Sequence, residues 1–187
     1  MALEPNGFGD VPKVARSAYV HPTATLLGHV IVEEEAFIGP GAVLRADEPG
    51  PDGKVSPITV GEQCNVQDRA ILHALGGTEV NIGHGSSIAH AAIVHGPCEI
   101  GANCFIGFGT VVFRATLGNG VVVMHQALVE GVDVPAALHV PSMTAVRCEE
   151  DVRRLAPVSP DLVAFAQEVA RMNLLLGKAA REASGCG

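Results

Sequence analysis

Three histidines near the middle of the 187-residue chain have the residue type that a metal site needs. His73, His90 and His95 lie close together in the sequence. Neutral imidazole nitrogens are common ligands of zinc, which they bind at about 2.0–2.1 Å. Three histidines plus one open position are typical of a catalytic rather than a structural zinc ion. Whether these side chains can meet depends on the elements that carry them.

A six-residue repeat indicates what those elements are. Aliphatic residues recur at every sixth position, a small residue often follows four positions later, and glycine often comes directly after the aliphatic residue. This pattern is typical of an all-β solenoid, a parallel β-helix in which three hexapeptides close one coil. The aliphatic positions are Val14, Val20, Leu26, Val32, Ile38 and Leu44; Val60, Val66 and Leu72; Ile82, Ile88, Val94, Ile100, Ile106 and Val112; and Leu117, Val123 and Val129.

The coils place equivalent residues above one another, at the interstrand spacing of about 4.8 Å. The position after the aliphatic residue holds Arg45, His73, His95 and Phe113 in four successive coils. Two imidazoles one strand apart can share a metal ion. His90 lies around a corner from His95, so we do not expect it to join the pair within one chain. In a threefold assembly it could face the pair of a neighbouring subunit.

The repeat also predicts the segments of the chain. We expect an N-terminal extension at 1–13, the β-helix at 14–157, and a C-terminal α-helix with a loose tail at 158–187. Two breaks in the repeat, Leu44 to Val60 and Leu72 to Ile82, indicate loops that leave the coil.

The C-terminal helix has its own signals. Ser159-Pro160-Asp161 is an N-cap followed by proline at the first helical position, which predicts a helix over about 160–182. Apolar residues then follow at helical spacing. They are Leu162, Phe165, Val169, Met172 and Leu176.

The composition excludes several classes of partner. A formal net charge of -8 argues against nucleic acid, because phosphate binding needs a basic face. We find no apolar run that would predict a signal peptide or a membrane span, so we expect a cytoplasmic location without membrane contact. The five cysteines are scattered without CxxC spacing. Cys64, Cys98 and Cys104 coincide with small positions of the repeat and are interpreted as core fillers.

At these motifs the chain resembles the γ-class carbonic anhydrases, over about residues 15–176. The coil repeat alone is shared with many acyltransferases, whereas the histidines with the Arg-x-Asp and Asn-x-Gln-Asp segments are more specific. The resemblance implies a left-handed β-helix, a homotrimer, and reversible hydration of carbon dioxide to bicarbonate by zinc-bound hydroxide. The matching segments are Arg45-Ala46-Asp47-Glu48, Asn65-Val66-Gln67-Asp68, Leu72-His73-Ala74, Ile88-Ala89-His90, Val94-His95-Gly96-Pro97, Phe105-Ile106-Gly107-Phe108 and Arg171-Met172-Asn173-Leu174.

The resemblance also implies roles for particular residues. His73, His90 and His95 would hold Zn²⁺, with Fe²⁺ or Co²⁺ as possible substitutes, and Arg45 and Asp47 would form an ion pair between subunits. Four further residues would act on substrate or solvent near the metal. Gln67 and Asn65 would orient the bound water or bicarbonate, Glu48 would be an acid near the metal, and Asn173 would add a polar contact.

The chain departs from part of this family between its first two metal-site histidines. The best-known branch carries a long acidic loop there with a proton-shuttle glutamate, whereas Leu75 to Asn81 contains Glu79 as its sole acid. His84 or Glu48 could relay protons instead. The carboxysome branch relies on a C-terminal cysteine pair, and the tail here has Cys186 alone.

Two other functions fit the same repeat. A hexapeptide acyltransferase would use coenzyme A and a single histidine as general base, and would need no stacked histidine pair. A non-catalytic trimeric scaffold or assembly protein would need the fold but no proton shuttle. Metal analysis separates the first alternative from a carbonic anhydrase, and hydration assays separate the second.

Overall fold

Three sheets form the walls of a parallel β-helix in the computed structural model, which describes residues 2–183. The chain supplies one strand to each sheet in turn. The first sheet contains β1 (Ala2–Glu4), β4 (Thr25–Gly28), β7 (Val43–Ala46), β10 (Ile71–His73), β13 (Ile93–His95), β16 (Val111–Phe113), β19 (Leu128–Glu130) and β22 (Ala145–Val146). The second contains β2 (Lys13–Val14), β5 (Val30–Val32), β8 (Ile58–Val60), β11 (Val80–Ile82), β14 (Cys98–Ile100), β17 (Thr116–Leu117) and β20 (Asp133–Val134).

The third sheet lies under the C-terminal helix. Its last strand runs antiparallel to its neighbour, and the others are parallel. It contains β3 (Tyr19–Val20), β6 (Phe37–Ile38), β9 (Asn65–Val66), β12 (Ser87–Ile88), β15 (Phe105–Ile106), β18 (Val122–Val123), β21 (Leu138–Val140) and β23 (Ala156–Pro157). The two helices are α1 (Glu149–Arg153) and α2 (Pro160–Ala183).

The six-residue repeat predicted the core correctly. Every aliphatic position from Leu26 to Val129 is buried, and the repeat continues beyond it through Val134, Val140 and Val146. Cys64, Cys98 and Cys104 are buried at small positions, as expected. Burial raises the pKa of the Cys64 and Cys104 thiols to about 11, so both stay protonated and act as packing groups.

The glycine that follows many aliphatic residues has a steric cause. A Cβ on Gly83 would lie 2.6 Å from the carbonyl carbon of Gly101 in the next coil. No side chain fits that distance, so the backbones of successive coils can approach here because the residue is glycine.

The two predicted loops occupy residues 47–57 and 74–79 and pack against each other. A Cβ on Gly76 would lie 2.7 Å from the Pro49 carbonyl oxygen, and one on Gly50 would lie 2.8 Å from Gly77 Cα. This close glycine contact holds the two loops together at the C-terminal ends of strands β7 and β10, beside His73.

The structure differs from the predicted segments at both ends of the β-helix. Strand β1 pairs with β4, so the first sheet begins inside the segment expected as an extension at 1–13. Helix α1 lies within the segment expected to be solenoid. Val152 from α1 and Leu155 just after it pack against the core, so they cover the apolar end of the last coil. The hexapeptide repeat carries no signal for such a cap.

The long helix is confirmed, and its predicted apolar residues are divided between the contact with the sheet and the exposed surface. Phe165, Met172 and Leu176 are 39%, 40% and 53% exposed. The helix rests on the third sheet at Gly177, where a Cβ would lie 3.0 Å from the Phe37 ring. It also contacts that sheet through Val169 and through the Phe165 ring, which meets Phe105 edge to face at 5.2 Å. The tail predicted at 184–187 lies outside the described residues, as does Met1.

Neither α1 nor α2, the helices found within residues 2–183, is long and apolar enough to cross a membrane.

Candidate metal centre

The first sheet carries the predicted column of side chains on its outer face. Strand pairing aligns Arg45 with His73, His73 with His95, and His95 with Phe113. We call these four residues the sheet-face column. His73 Nδ1 lies 2.9 Å from His95 Nε2, and the two rings meet edge to face. Parallel register therefore brings two imidazole nitrogens together on one surface.

The outer nitrogens of this pair face oxygen atoms. His73 Nε2 lies 3.2 Å from Glu48 Oε1, outside hydrogen-bonding geometry, and is a buried nitrogen without a hydrogen-bond partner. His95 Nδ1 lies 3.2 Å from the Gly96 carbonyl oxygen. If both outer nitrogens carry a proton, the inner nitrogens present two lone pairs to each other. A cation between them would relieve that repulsion, because neutral imidazole coordinates metals through such a lone pair.

Desolvation favours the neutral form of His73. Burial is the largest cause and lowers its pKa, and the electrostatic effects of His95 and Arg45 lower it further. The carboxylates of Glu48 and Asp47 oppose the shift without cancelling it. His73 is therefore held in the protonation state that a metal ligand requires.

Glu48 is held beside the histidine pair by the two loops. Its Oε2 accepts a hydrogen bond from the Gly76 backbone N–H at 3.3 Å, and its Oε1 lies 3.7 Å from Arg45 Nη2. Arg45 Nε also donates to Asp47 Oδ1 at 2.8 Å within the chain. An ion pair of Arg45 and Asp47 across a subunit boundary stays a prediction.

His90 lies on the corner between the third and first sheets, at the same position of its coil as Asp68, Phe108 and His125 in neighbouring coils. We call these four residues the corner column. His90 Nδ1 lies 3.3 Å from Asp68 Oδ2, and both side chains are 50% exposed. Nε2 is consequently the nitrogen left to bind a ligand.

A chain of amides is buried where the third sheet meets the helix. Gln67 Nε2 donates to Asn65 Oδ1 at 2.9 Å, and Asn65 Nδ2 donates to Ser87 Oγ at 2.7 Å. Asn65 and Ser87 are directly paired in adjacent strands. Asn173, on α2, donates to the Val169 carbonyl of its own helix. Asn65 and Gln67 thus contact each other, whereas no contact within residues 2–183 joins Asn173 to them, and the roles of all three stay predictions.

The described part of the chain does not complete a metal site alone. Within residues 2–183, no three His, Cys, Asp or Glu side chains converge as metal ligands. His73 and His95 meet, and His90 is not part of their contact. Three groups that contact the predicted metal-site histidines were given no role from the sequence: Asp68, Phe108 and the Gly96 carbonyl. The coil spacing that aligned the histidine pair could have revealed the first two, because they fill the positions above and below His90.

The coils and the outward histidine pair define a hexapeptide-repeat β-helix protein with a candidate metal centre. No protein-family model matches the chain. By sequence it is 34% identical over 174 residues to a carboxysome assembly protein of Nostoc, covering 88% of this chain and 30% of that protein. It is 31% identical over 169 residues to a carbonic anhydrase of Methanosarcina thermophila, covering 80% of this chain and 66% of that enzyme.

Solved structures agree on the fold. A Bacillus cereus protein described as an acetyltransferase superposes with a TM-score of 0.81 at 22% identity, over 97% of both chains. A hexapeptide transferase family protein of Anaplasma phagocytophilum superposes with a TM-score of 0.76 at 26% identity, over 95% of this chain and 97% of that one.

The relatives found by sequence indicate the family, whereas the solved structures show the fold. The chain belongs to the γ-class carbonic anhydrase family, which includes the related domain of the carboxysome assembly proteins. It spans about 30% of the length of the Nostoc assembly protein that it matches.

Proposed function

We propose that this chain is a carbonic anhydrase that interconverts carbon dioxide and bicarbonate at a metal shared between two copies. His73 and His95 of one copy and His90 of a second would hold the ion. One observation carries the proposal. Each of the three imidazoles has one nitrogen near an oxygen atom, at 3.2 Å for His73, 3.2 Å for His95 and 3.3 Å for His90, and a second nitrogen directed elsewhere.

This arrangement approaches what a metal-binding histidine requires, although the contact of His73 Nε2 with Glu48 lacks hydrogen-bonding geometry in a single copy. Such histidines direct the other ring N–H to a carboxylate or carbonyl, which sets the tautomer and strengthens the ligand. Zn²⁺, with Fe²⁺ or Co²⁺ as substitutes, held by three imidazoles would supply the activation of water at neutral pH. The lack of a third ligand beside His73 within residues 2–183 supports a site that needs a second copy.

The outer face of the first sheet supports a homotrimer. A column of aliphatic residues runs beside the sheet-face column, and Ile71 within it is 40% exposed. A continuous apolar sheet face is a typical contact surface between protein subunits. Burial of this face against a second copy in closed cyclic symmetry would generate three equivalent sites. The aliphatic residues are Val43, Ile71, Ile93, Val111 and Leu128.

The buried amides would orient the reacting oxygens. Ser87 accepts from Asn65, and Asn65 accepts from Gln67, so the donors of the Gln67 amide are partly used and its Oε1 is turned away from that chain. Because Gln67 is only 2% exposed, its amide is held rigidly. Gln67 Oε1 would accept a hydrogen bond from water or bicarbonate and hold it in one orientation.

Glu48 would move the proton. Its Oε2 is tethered by the Gly76 N–H, and its Oε1 lies 3.2 Å from the outer nitrogen of His73, so a proton from the metal side would reach it through intervening water. The side chain is still 36% exposed, so a proton taken up on Oε1 can pass to solvent. Asn173 would add a polar contact near the site.

Metal content and hydration rate test the proposal together. Protein prepared aerobically and anaerobically with zinc, iron or cobalt should bind about one ion per chain and accelerate hydration. His73→Ala and His95→Ala should lose both properties and keep the β-strand circular dichroism signal. His21→Ala, at a histidine that contacts Thr23 and has no proposed role at the site, is the matched control and should behave as wild type. No acceleration in any metal form would contradict the proposal.

A non-catalytic assembly role is the second candidate. Its support is the short segment 74–79, in which Glu79 is the one acid and pairs with Asn81, and the relationship to carboxysome assembly proteins. Metal bound without any hydration would favour this role. A coenzyme A-dependent acyltransferase would instead bind acetyl-coenzyme A without metal, which calorimetry can measure.

A further inference from the structure

The two halves of the candidate metal centre are held in different ways. His73 and His95 support each other across adjacent strands. His90 has a half-exposed side chain on a turn, and its ring has no histidine neighbour in the strand ladder. An exposed imidazole that samples several rotamers makes a weak ligand, because ordering it costs free energy on binding. Other side chains must therefore hold His90 if it is to bind well.

A stack of aromatic rings lies under His90. Phe108 packs on its face, with ring centroids 5.2 Å apart and planes at 24°. His125 packs under Phe108 in turn, at 4.3 Å and 7°. Backbone hydrogen bonds from Gly109 N to His90 O and from Gln126 N to Phe108 O keep the three corners in register. The imidazole of His90 therefore rests on a flat surface built from two further coils.

The lower end of this stack is anchored. His125 Nδ1 accepts a hydrogen bond from the Phe108 backbone N–H at 3.0 Å, so the His125 ring is turned to lie flat beneath Phe108. A Cβ on Gly107 would lie 2.6 Å from the Met124 carbonyl carbon and 2.9 Å from that same Nδ1, so glycine there lets both the next coil and the His125 ring come close. Phe105 also meets the edge of His125 from the side of the third sheet.

Asp68 constrains His90 from the coil on the other side. Its Oδ2 lies 3.3 Å from His90 Nδ1, while Phe108 covers the ring face. A contact at one nitrogen and a contact on one face together define both side-chain torsions of a histidine. We propose that Asp68 and Phe108 are positioning residues that hold His90 with Nε2 available to the metal, an inference that rests on the function proposed above.

Two measurements test the inference. In metal-free protein near pH 8, where histidines are neutral, ¹⁵N NMR should find His90 protonated at Nδ1. Asp68→Asn should shift His90 toward a mixture of tautomers. Phe108→Leu should weaken Co²⁺ or Zn²⁺ binding by about 10- to 100-fold, the usual effect of losing a residue that supports a metal ligand. Phe108→Tyr keeps the ring and should restore the affinity, and an unchanged unfolding midpoint for Phe108→Leu would separate the lost affinity from a loss of general packing.

Phe8→Leu provides the matched control, because Phe8 is an exposed phenylalanine distant in sequence from the corner column and 56% accessible. It should leave metal affinity unchanged. If wild type binds metal and both Phe108→Leu and Asp68→Asn bind it equally well, the positioning role is wrong and the metal site stands. If wild type binds no metal in any form, the proposed function fails and the inference fails with it.

Discussion

The sheet-face column and the corner column hold their histidines by different means. His73 and His95 lie in paired strands, and the register of the first sheet alone brings their nitrogens to 2.9 Å. His90 lies on a turn just before Ala91, whose φ of 57° belongs to the left-handed region. Its ring is placed by Asp68 and Phe108. Backbone geometry can therefore align two of the proposed ligands, whereas side-chain contacts surround the third.

Burial also separates the two columns. His73 is desolvated, which lowers its pKa and keeps it neutral. His90 is half exposed beside an equally exposed carboxylate. A buried pair and an exposed single histidine are what the proposed intersubunit site needs before assembly, since the exposed histidine would have to reach a second copy. The predictions below alter one column at a time.

Removal of a histidine ligand should have the largest effect on metal affinity. The loss should be similar for the sheet-face column and for the corner column. His95→Ala and His90→Ala should each lower metal affinity by more than about 100-fold, beyond the usual loss for a supporting residue. Isothermal titration with Co²⁺ measures this. A His90→Ala protein with wild-type affinity would show that the sheet-face pair binds metal without the corner.

Glu48→Gln should slow turnover while metal remains bound. General acid–base groups typically contribute 10²–10⁴-fold, and we expect a loss of about 10- to 100-fold because solvent can replace part of the relay. Stopped-flow hydration at low and high buffer concentration is the measurement. Added buffer should restore the Glu48→Gln rate and leave Glu79→Gln, an acid outside this contact, unchanged. A Glu48→Gln rate equal to wild type in weak buffer would exclude the relay.

The stability of the metal-free protein should fall in acid because of the sheet-face column. The pKa of His73 lies below its ordinary 6.5, with burial as the main cause and Glu48, His95, Arg45 and Asp47 as its charged neighbours. The unfolded chain therefore binds the extra proton first. The stability that neutral His73 contributes to the folded protein is complete above about pH 6.5 and is lost as the pH falls below that value. Urea unfolding from about pH 7.5 to 5.5 should show a smaller decline for His73→Asn than for wild type.

The smallest effect should come from the turn itself. Ala91→Gly relieves the left-handed conformation of a residue with a side chain, which costs about 1 kcal/mol, but adds entropy to the unfolded chain. The free energy of unfolding should consequently change by less than about 1 kcal/mol. Thermal denaturation checks it, with Ala89→Gly as the control at a buried site that should be destabilised. A large loss at position 91 would mean that the side chain there supports the corner.

Much of the fold was predictable because the six-residue repeat determines which residues lie above one another in successive coils. An inward aliphatic residue every six positions places Leu44, Leu72 and Val94 in register, so the histidine pair beside them followed from spacing alone. The helices that cover the β-helix were harder to predict from the sequence. The repeat carries no signal for α1, and the approach of α2 depends on a small residue at its contact with the sheet. Gly177 decided that contact through packing that no periodicity records.

The candidate site was predictable only in part for a related reason. Register determines which residues stack, so Asp68, His90 and Phe108 were in one column from the start. Ring orientation depends on rotamers and hydrogen bonds, which spacing does not specify. Asn173 illustrates this, because its amide bonds to its own helix backbone.

Mixed assemblies test the central claim most directly, because they separate a shared site from a site within one chain. His73→Ala and His90→Ala chains, each expected to bind no metal alone, would be refolded together in equal amounts. Random association in a trimer places an intact histidine pair against an intact His90 at about one boundary in four. We predict recovery of about a quarter of the wild-type metal content. A mixed protein with no more bound metal than either parent variant would contradict the account.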